Sequence, residues 1–201
     1  MAYASWVSPN KTQGNGNDTV AWSGQEHTGR TARQTTATFS ASGVESKTLT
    51  IIQAGKTEFV SIESTAAVAK GGGSVTITGT SNSSKLTFSL TGANGIGLVL
   101  PSSYLANSVN TNNGVAITGD PGAAKEYTFS ITFTGIAENA SIASLVSQLT
   151  VKTNNNQTAT CDITQAAGDA YLNIDPTTIN LTAAGTAVNV TVESNTSWTI
   201  S

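Results

Sequence analysis

The sequence predicts an all-β protein made of tandem β-sandwich domains. Apolar and polar residues alternate with a period of two along most of the 201-residue chain, as they do in half-buried strands. Clusters of Gly and Asn interrupt these segments at short intervals, as turns do. A unit of roughly 112 residues is repeated within the chain, and that is the size of one sandwich domain.

The alternating segments are rich in Thr, Val, Ile and Phe, which favour strands because branched and aromatic side chains pack well on a pleated surface. Helical periodicity is almost absent. Many short strands separated by frequent turns are typical of immunoglobulin-like sandwiches. The clearest predicted strands are 75–78, 85–90, 127–133 and 188–192, and the clearest predicted turns are 71–73, 112–114 and 154–156.

The internal repeat predicts the domain boundaries. Residues 39–54 align with 151–166 without a gap, and the match continues between 59–63 and 171–175. The residues that follow 73 also match those that follow 185, if the alignment is shifted there by one residue. Three parts follow: 1–56 holds the closing strands of a first immunoglobulin-like module, 57–168 is a complete sandwich with a long middle at 92–124, and 169–201 holds the opening strands of a third domain.

Both ends of the chain leave an alternative open. A half sandwich cannot bury its apolar face, so we expect the protein either to continue past Ser201 or to be completed there by another chain. Met1 is interpreted as a genuine start, although the first module lacks opening strands. That module is either a shortened sandwich covered by a loop or a sandwich that receives strands from a neighbouring subunit.

Composition argues against several classes of function. Only 10% of residues are charged and the net charge is −3, with no basic patch to neutralise phosphates, so no nucleic-acid partner is expected. No stretch approaches the ~18–20 apolar residues of a membrane span. The first residues lack the basic and apolar regions of a signal peptide, so we expect synthesis in a cytoplasm without cleaved export.

The residues that could carry chemistry are few. His27 lies in a polar loop with no second His or nearby Cys, so neither a zinc site nor a Ser–His pair is indicated. Asp162 and Asp175 flank a domain junction, where a solvated turn is a simpler interpretation than a cation site. The acids are scattered without a facing pair for glycoside hydrolysis. We therefore predict no enzyme, no cofactor and no metal.

The aromatic residues and the single Cys are interpreted mainly as core. Cys161 alternates with Ala159 and Ile163, which predicts a buried small hydrophobe. Sandwich domains usually bury their Trp residues. Tyr104, in the long middle, is the candidate for contact with a glycan or partner. The remaining predicted core residues are Trp6, Trp22 and Trp198.

The first and third parts resemble BACON domains, immunoglobulin-like modules of Bacteroidetes proteins and of their phages. In the first part the resemblance lies in Trp6, in Gly-Asn-Gly at 14–16 and in the segment ending Gln-Ala-Gly at 53–55. In the third it lies in 172–174 and in Ser-Asn-Thr-Ser-Trp at 194–198. The second part departs from the pattern, because it lacks the Trp and has the longer middle.

The resemblance implies a surface setting and carbohydrate binding, and it brings no catalytic residues. Together with the missing export signal it suggests a virion protein, similar to capsid decoration or head-fibre proteins of crAss-like bacteriophages. The first module would anchor to capsid or other virion subunits in an oligomer or assembly, while outer domains project and bind host-surface glycan. The alternative is a carbohydrate-binding module on a bacterial cell surface.

Overall fold

The computed structural model of the chain describes residues 3–92 and 95–201. Within those ranges the prediction of an all-β protein is confirmed, with fifteen strands and no helix. The same described part contains no helix that is long and apolar enough to cross a membrane. Met1, the expected start, and residues 93 and 94 of the long middle lie outside the described residues.

The first module consists of two antiparallel hairpins. Strand β1 (Val7–Pro9) pairs with β2 (Trp22–Gly24), and β3 (Arg33–Phe39) pairs with β4 (Lys47–Gln53). The hairpins pack on each other, because Val7 and Ala37 are both buried and the Ala4 amide donates to Thr35 Oγ1 over 2.9 Å. The module is thus a small two-layer structure of four strands.

The central domain is a sandwich of nine strands. Its five-stranded sheet has the order β10-β9-β11-β7-β5, and its four-stranded sheet has the order β6-β13-β12-β8, in which only β6 and β13 are parallel. Alternation in β11 buries every second side chain from Tyr127 to Phe133, which is the period that the sequence predicts. The bounds are β5 Val60–Ile62, β6 Thr65–Val68, β7 Gly73–Ser81, β8 Leu86–Thr91, β9 Ser103–Ala106, β10 Val109–Asn112, β11 Tyr127–Ile136, β12 Leu145–Thr153 and β13 Thr158–Gln165.

The core lies between these two sheets. Phe88 is at its centre, with its ring centroid 4.7 Å from that of Tyr104 and 5.8 Å from that of Phe129. Cys161 is fully buried on β13, on the face that alternation predicts. The other fully buried apolar side chains include Ile77, Leu86, Ile131, Phe133, Leu149, Val151 and Ile163.

The long middle contains a hairpin that the sequence did not predict. Strands β9 and β10 extend the edge of the five-stranded sheet, and they are joined by Asn107 and Ser108. These two residues have φ values of 49° and 64°, which is the left-handed pair that a two-residue hairpin turn requires. Much of the expected insertion is therefore part of the sandwich itself.

The third segment, residues 169–201, contains one further hairpin. Strand β14 (Leu172–Asp175) pairs with β15 (Thr191–Ser194). Cross-strand pairing places Leu172, Ile174 and Val192 on one face, and Asp175 and Glu193 on the other. No second sheet covers this hairpin in the described part of the chain, so its apolar face is largely exposed.

The three Trp residues differ from the prediction that all are core. Trp198 is 47% exposed, so that prediction is wrong for it; no second sheet packs on it among the described residues. Trp6 and Trp22 are only partly buried, because the first module is thin. The Trp6 ring packs under the Arg33 guanidinium at 4.5 Å, and Trp22 meets Tyr3 edge to face at 5.3 Å.

Candidate functional site

Tyr104 is not a surface contact, and the prediction that it binds a glycan or partner is wrong. It faces inward on β9 against Phe88 and is almost completely buried, because alternation sends Leu105 outward instead. Its hydroxyl is buried without a hydrogen-bond partner among the described residues. Burial raises the pKa of Tyr104 to about 12. A ring in this position cannot stack on a sugar.

The His27 side chain makes hydrogen bonds to the backbone of its own loop. Its Nε2 lies 2.7 Å from the Thr31 carbonyl oxygen, and its Nδ1 accepts a weak hydrogen bond from the Gly29 amide. These contacts use both ring nitrogens within five residues of chain. In the described ranges no group of three or more His, Cys, Asp or Glu residues could hold a metal ion.

A cluster of charged and polar residues connects the first module to the central domain, and we call it the joint. It consists of Arg30, Glu58, Asn82 and Asp120. Arg30 donates two hydrogen bonds to the Asp120 carboxylate, at 2.5 and 2.8 Å, and two to the Asn82 carbonyl oxygen, at 3.2 and 2.6 Å. Its Nε lies 3.1 Å from Glu58 Oε1. The planar guanidinium thus binds three groups of the central domain from one residue of the first module.

Glu58 is the buried acceptor of the joint. Its carboxylate accepts hydrogen bonds from the Ser83 hydroxyl at 2.9 Å, the Asn155 amide at 3.0 Å and the Ser84 amide at 3.4 Å. A buried charge is tolerated only when it is paired and hydrogen-bonded, and these donors together with Arg30 meet that condition.

The connecting segment is also fixed by its backbone. The Asn82 amide group donates to the Thr57 and Ala123 carbonyl oxygens and accepts from the Phe59 amide. A Cβ atom on Gly55 would lie 2.0 Å from the Arg30 carbonyl oxygen, so only glycine fits there. The two parts of the chain are therefore held at a defined angle instead of being joined by a free linker.

The joint predicts a dependence of stability on pH. The hydrogen bond from Arg30 lowers the pKa of Asp120 below its usual 3.8, so this carboxylate stabilises the fold above about pH 3.8, and that contribution is lost as the pH falls through the lowered pKa. We expect Asp120→Asn to lower the urea midpoint at about pH 7, and to lower it by less at about pH 2, because part of the contribution of the carboxylate is lost below pH 3.8. The measurement is urea denaturation of both proteins at the two pH values; an equal gap at both would contradict the prediction.

The first module presents an open apolar face on hairpin β3–β4. Phe39, Leu49 and Ile51 lie on the side that carries the buried Ala37, yet Phe39 is 45% exposed and Leu49 is 37% exposed. The short hairpin β1–β2 covers only part of this side. We call these three residues the open face.

A cleft of about 530 Å³ adjoins the open face, between the two hairpins of the first module. Its walls include Tyr3, Trp22, Phe39 and Val44, with Lys11 and Asp18 at the rim joined by an ion pair. Aromatic and aliphatic walls with a charged rim suit an apolar segment of protein, and the rings of Tyr3 and Trp22 also suit a sugar.

Neither the protein-family models nor the curated proteins contain a match to this chain. The open face, the adjoining cleft and the joint are the features of the molecule that bear on its function. The sequence pointed to the first module as incomplete, but it did not point to any member of the joint.

Proposed function

We propose that this protein is a non-catalytic structural component of a virus particle, a capsid decoration or head-fibre protein of a bacteriophage. Its first module binds capsid or other virion subunits, and the immunoglobulin-like domains that follow project outward. The work of such a protein is adhesion through surface contact and strand pairing, without bond-making chemistry. The proposal includes the tandem immunoglobulin-like organisation and its relationship to BACON domains.

The observation that carries this proposal is the open face of the first module. Phe39 and Leu49 are exposed on the side of the hairpin that carries the buried Ala37, and burial of such side chains against a partner is favourable by about 25 cal/mol per Å². An apolar surface that neighbouring subunits cover is more typical of a protein in an assembly than of a free enzyme. The joint supports the same interpretation, because a fixed angle sets the direction in which later domains project.

The alternative is a carbohydrate-binding module of a bacterial surface, and the cleft favours it. Tyr3 and Trp22 stand in its wall with their rings nearly perpendicular, at 86°, and both rings are partly exposed, as rings that pack on a sugar must be. This arrangement replaces Tyr104 as the candidate for glycan contact.

The location of the protein tests the proposal. Antibodies against residues 57–168 are used for immunogold microscopy of purified particles of the phage that carries this gene, and of uninfected host cells. We expect gold on the heads of the particles and none on uninfected cells. Label on uninfected cells with none on particles would overturn the proposal in favour of the bacterial surface module.

A further inference from the structure

The central domain reveals what the open face of the first module lacks. Hairpin β3–β4 has the same register as β12–β13, with every position shifted by 112: Ala37 pairs with Leu49 as Leu149 pairs with Cys161. Yet Val151 and Cys161 are 0% exposed, while their counterparts Phe39 and Leu49 are 45% and 37% exposed. The difference is the second sheet, which only the central domain has over this hairpin in the described chain.

The third segment contains the counterpart of part of that missing sheet. In the central domain β5 pairs with β7 and packs against β12 and β13. Hairpin β14–β15 repeats the β5–β7 pairing with a shift of 112 residues in one strand and 113 in the other. Leu172 and Ile174 stand where Val60 and Ile62 meet the core, but they are 56% and 50% exposed.

The two faces of one chain cannot meet. The joint lies beside Ser81 at the end of β7, while Lys70 and Asp169, which pair next to the third segment, lie beside the start of that strand. The nine residues of β7 span roughly 30 Å. Within one copy the faces therefore lie at opposite ends of the central domain, too far apart to cover each other.

Charge favours contact between these two parts over contact of either part with itself. Residues 1–56 contain five Lys or Arg and three Asp or Glu, whereas residues 169–201 contain three Asp or Glu and no Lys or Arg. Asp175 and Glu193 lie on the polar side of the β14–β15 hairpin, where they remain in water when Leu172 and Ile174 are covered. Complementary charge of this kind selects a partner and speeds its approach.

We propose that hairpin β14–β15 of one copy packs on the open face of the first module of a second copy, head to tail. Leu172, Ile174 and Val192 then cover Phe39, Leu49 and Ile51, as β5 covers β12 and β13 within the central domain. Residues 177–180, the counterpart of β6, pair in parallel along the free edge of β4, as β6 does along β13. Because donor and acceptor faces differ, the contact repeats from copy to copy and forms a filament or ring.

This inference rests on the same open face as the proposed function and names a second copy of the chain as its partner. It is tested on the purified 201-residue chain without any particle, whereas the proposed function is tested on particles, so either can fail alone. The measurement is molar mass by light scattering coupled to size exclusion, over a range of protein concentrations. We expect the mass to rise beyond that of a dimer as the concentration increases. A chain that stays monomeric at about 1 mM, where even a weak contact is populated, would overturn the proposal.

Two variants locate the contact. Leu49→Asp disables the acceptor face and Leu172→Asp disables the donor face, so each variant alone is expected to be monomeric. An equal mixture is expected to form a dimer and nothing larger, because only one intact donor and one intact acceptor remain. Val99→Asp, at a position that is 82% exposed and outside both faces, is the control and assembles like the parent chain.

Folding of the variants is checked independently. Leu49 and Leu172 lie outside the core of the central domain, so the urea midpoint of that domain is expected to equal that of the parent chain. A mixture of the two variants that remains monomeric while both central domains are folded would overturn the proposal. So would assembly that survives in either variant alone.

Discussion

Replacing Arg30 by Met is expected to lower the free energy of unfolding by about 3–5 kcal/mol, the usual cost of removing one partner of a buried ion pair. Glu58 would keep its three uncharged donors but lose its only cationic partner at the joint, and Asp120 and the Asn82 carbonyl oxygen would lose theirs. Met retains most of the length of the side chain, so the change removes charge and hydrogen bonds more than packing. The measurement is urea denaturation, with hydrogen exchange to follow residues 3–56 separately.

Lys56→Met provides the matched control. Lys56 pairs with Glu26 in the same module, but both side chains are largely exposed and the pair spans 3.3 Å. Exposed ion pairs contribute from about 0 to 1 kcal/mol, so this variant is expected to be close to the parent chain. If the two variants lose similar stability, the joint is no stronger than a surface pair, and the first module is free to move.

Leu149→Ala is expected to lower the free energy of unfolding of the central domain by about 2–5 kcal/mol. Leu149 is 0% exposed on β12, between the strands that carry Phe88 and Cys161, so the lost side chain leaves a cavity that well-packed neighbours fill only in part. All three Trp residues lie outside 57–168, so circular dichroism and hydrogen exchange are the suitable probes for this domain.

Leu105→Ala is the same chemical change at a position that is 45% exposed on β9. Its expected cost is below about 1 kcal/mol, because half of the side chain is already in water. A small effect of Leu149→Ala, comparable to that of Leu105→Ala, would mean that the sandwich core is not packed as described.

The sequence predicted most of the central sandwich because its strands have a buried and an exposed face. The segment 127–133 falls within β11, and 75–78 falls within β7, since Thr alternates with Val, Ile and Phe in both. Alternation did not predict β9 and β10, where the sequence from 103 to 112 is dominated by Ser, Asn and Thr. Each of these strands has only four residues, and β10, at the edge of the sheet, buries only one side chain, so alternation gives a weak signal there.

The same limit explains the errors about individual side chains. The segment 188–192 alternates well, yet β15 begins only at Thr191, because a strand with no covering sheet has little to hold its start. Trp198 is exposed for that reason. The joint could not be predicted, since Arg30, Glu58, Asn82 and Asp120 come from four distant places in the chain. The only sign of it in the sequence is that charged residues are rare.

The parallel pairing of β6 with β13 determines how the central domain carries a pulling force. In the sequence, β6 is the second strand of the domain and β13 is the last. Tension between residues 57 and 168 therefore pulls these two paired strands in opposite directions along their common axis. All the hydrogen bonds between them are then loaded together in shear, whereas an antiparallel pair pulled from one end opens one bond at a time. Before that point the hydrogen bonds of Glu58 and Phe59 and the short pairing of β5 with β7 can separate. The domain is built to bear load along its length.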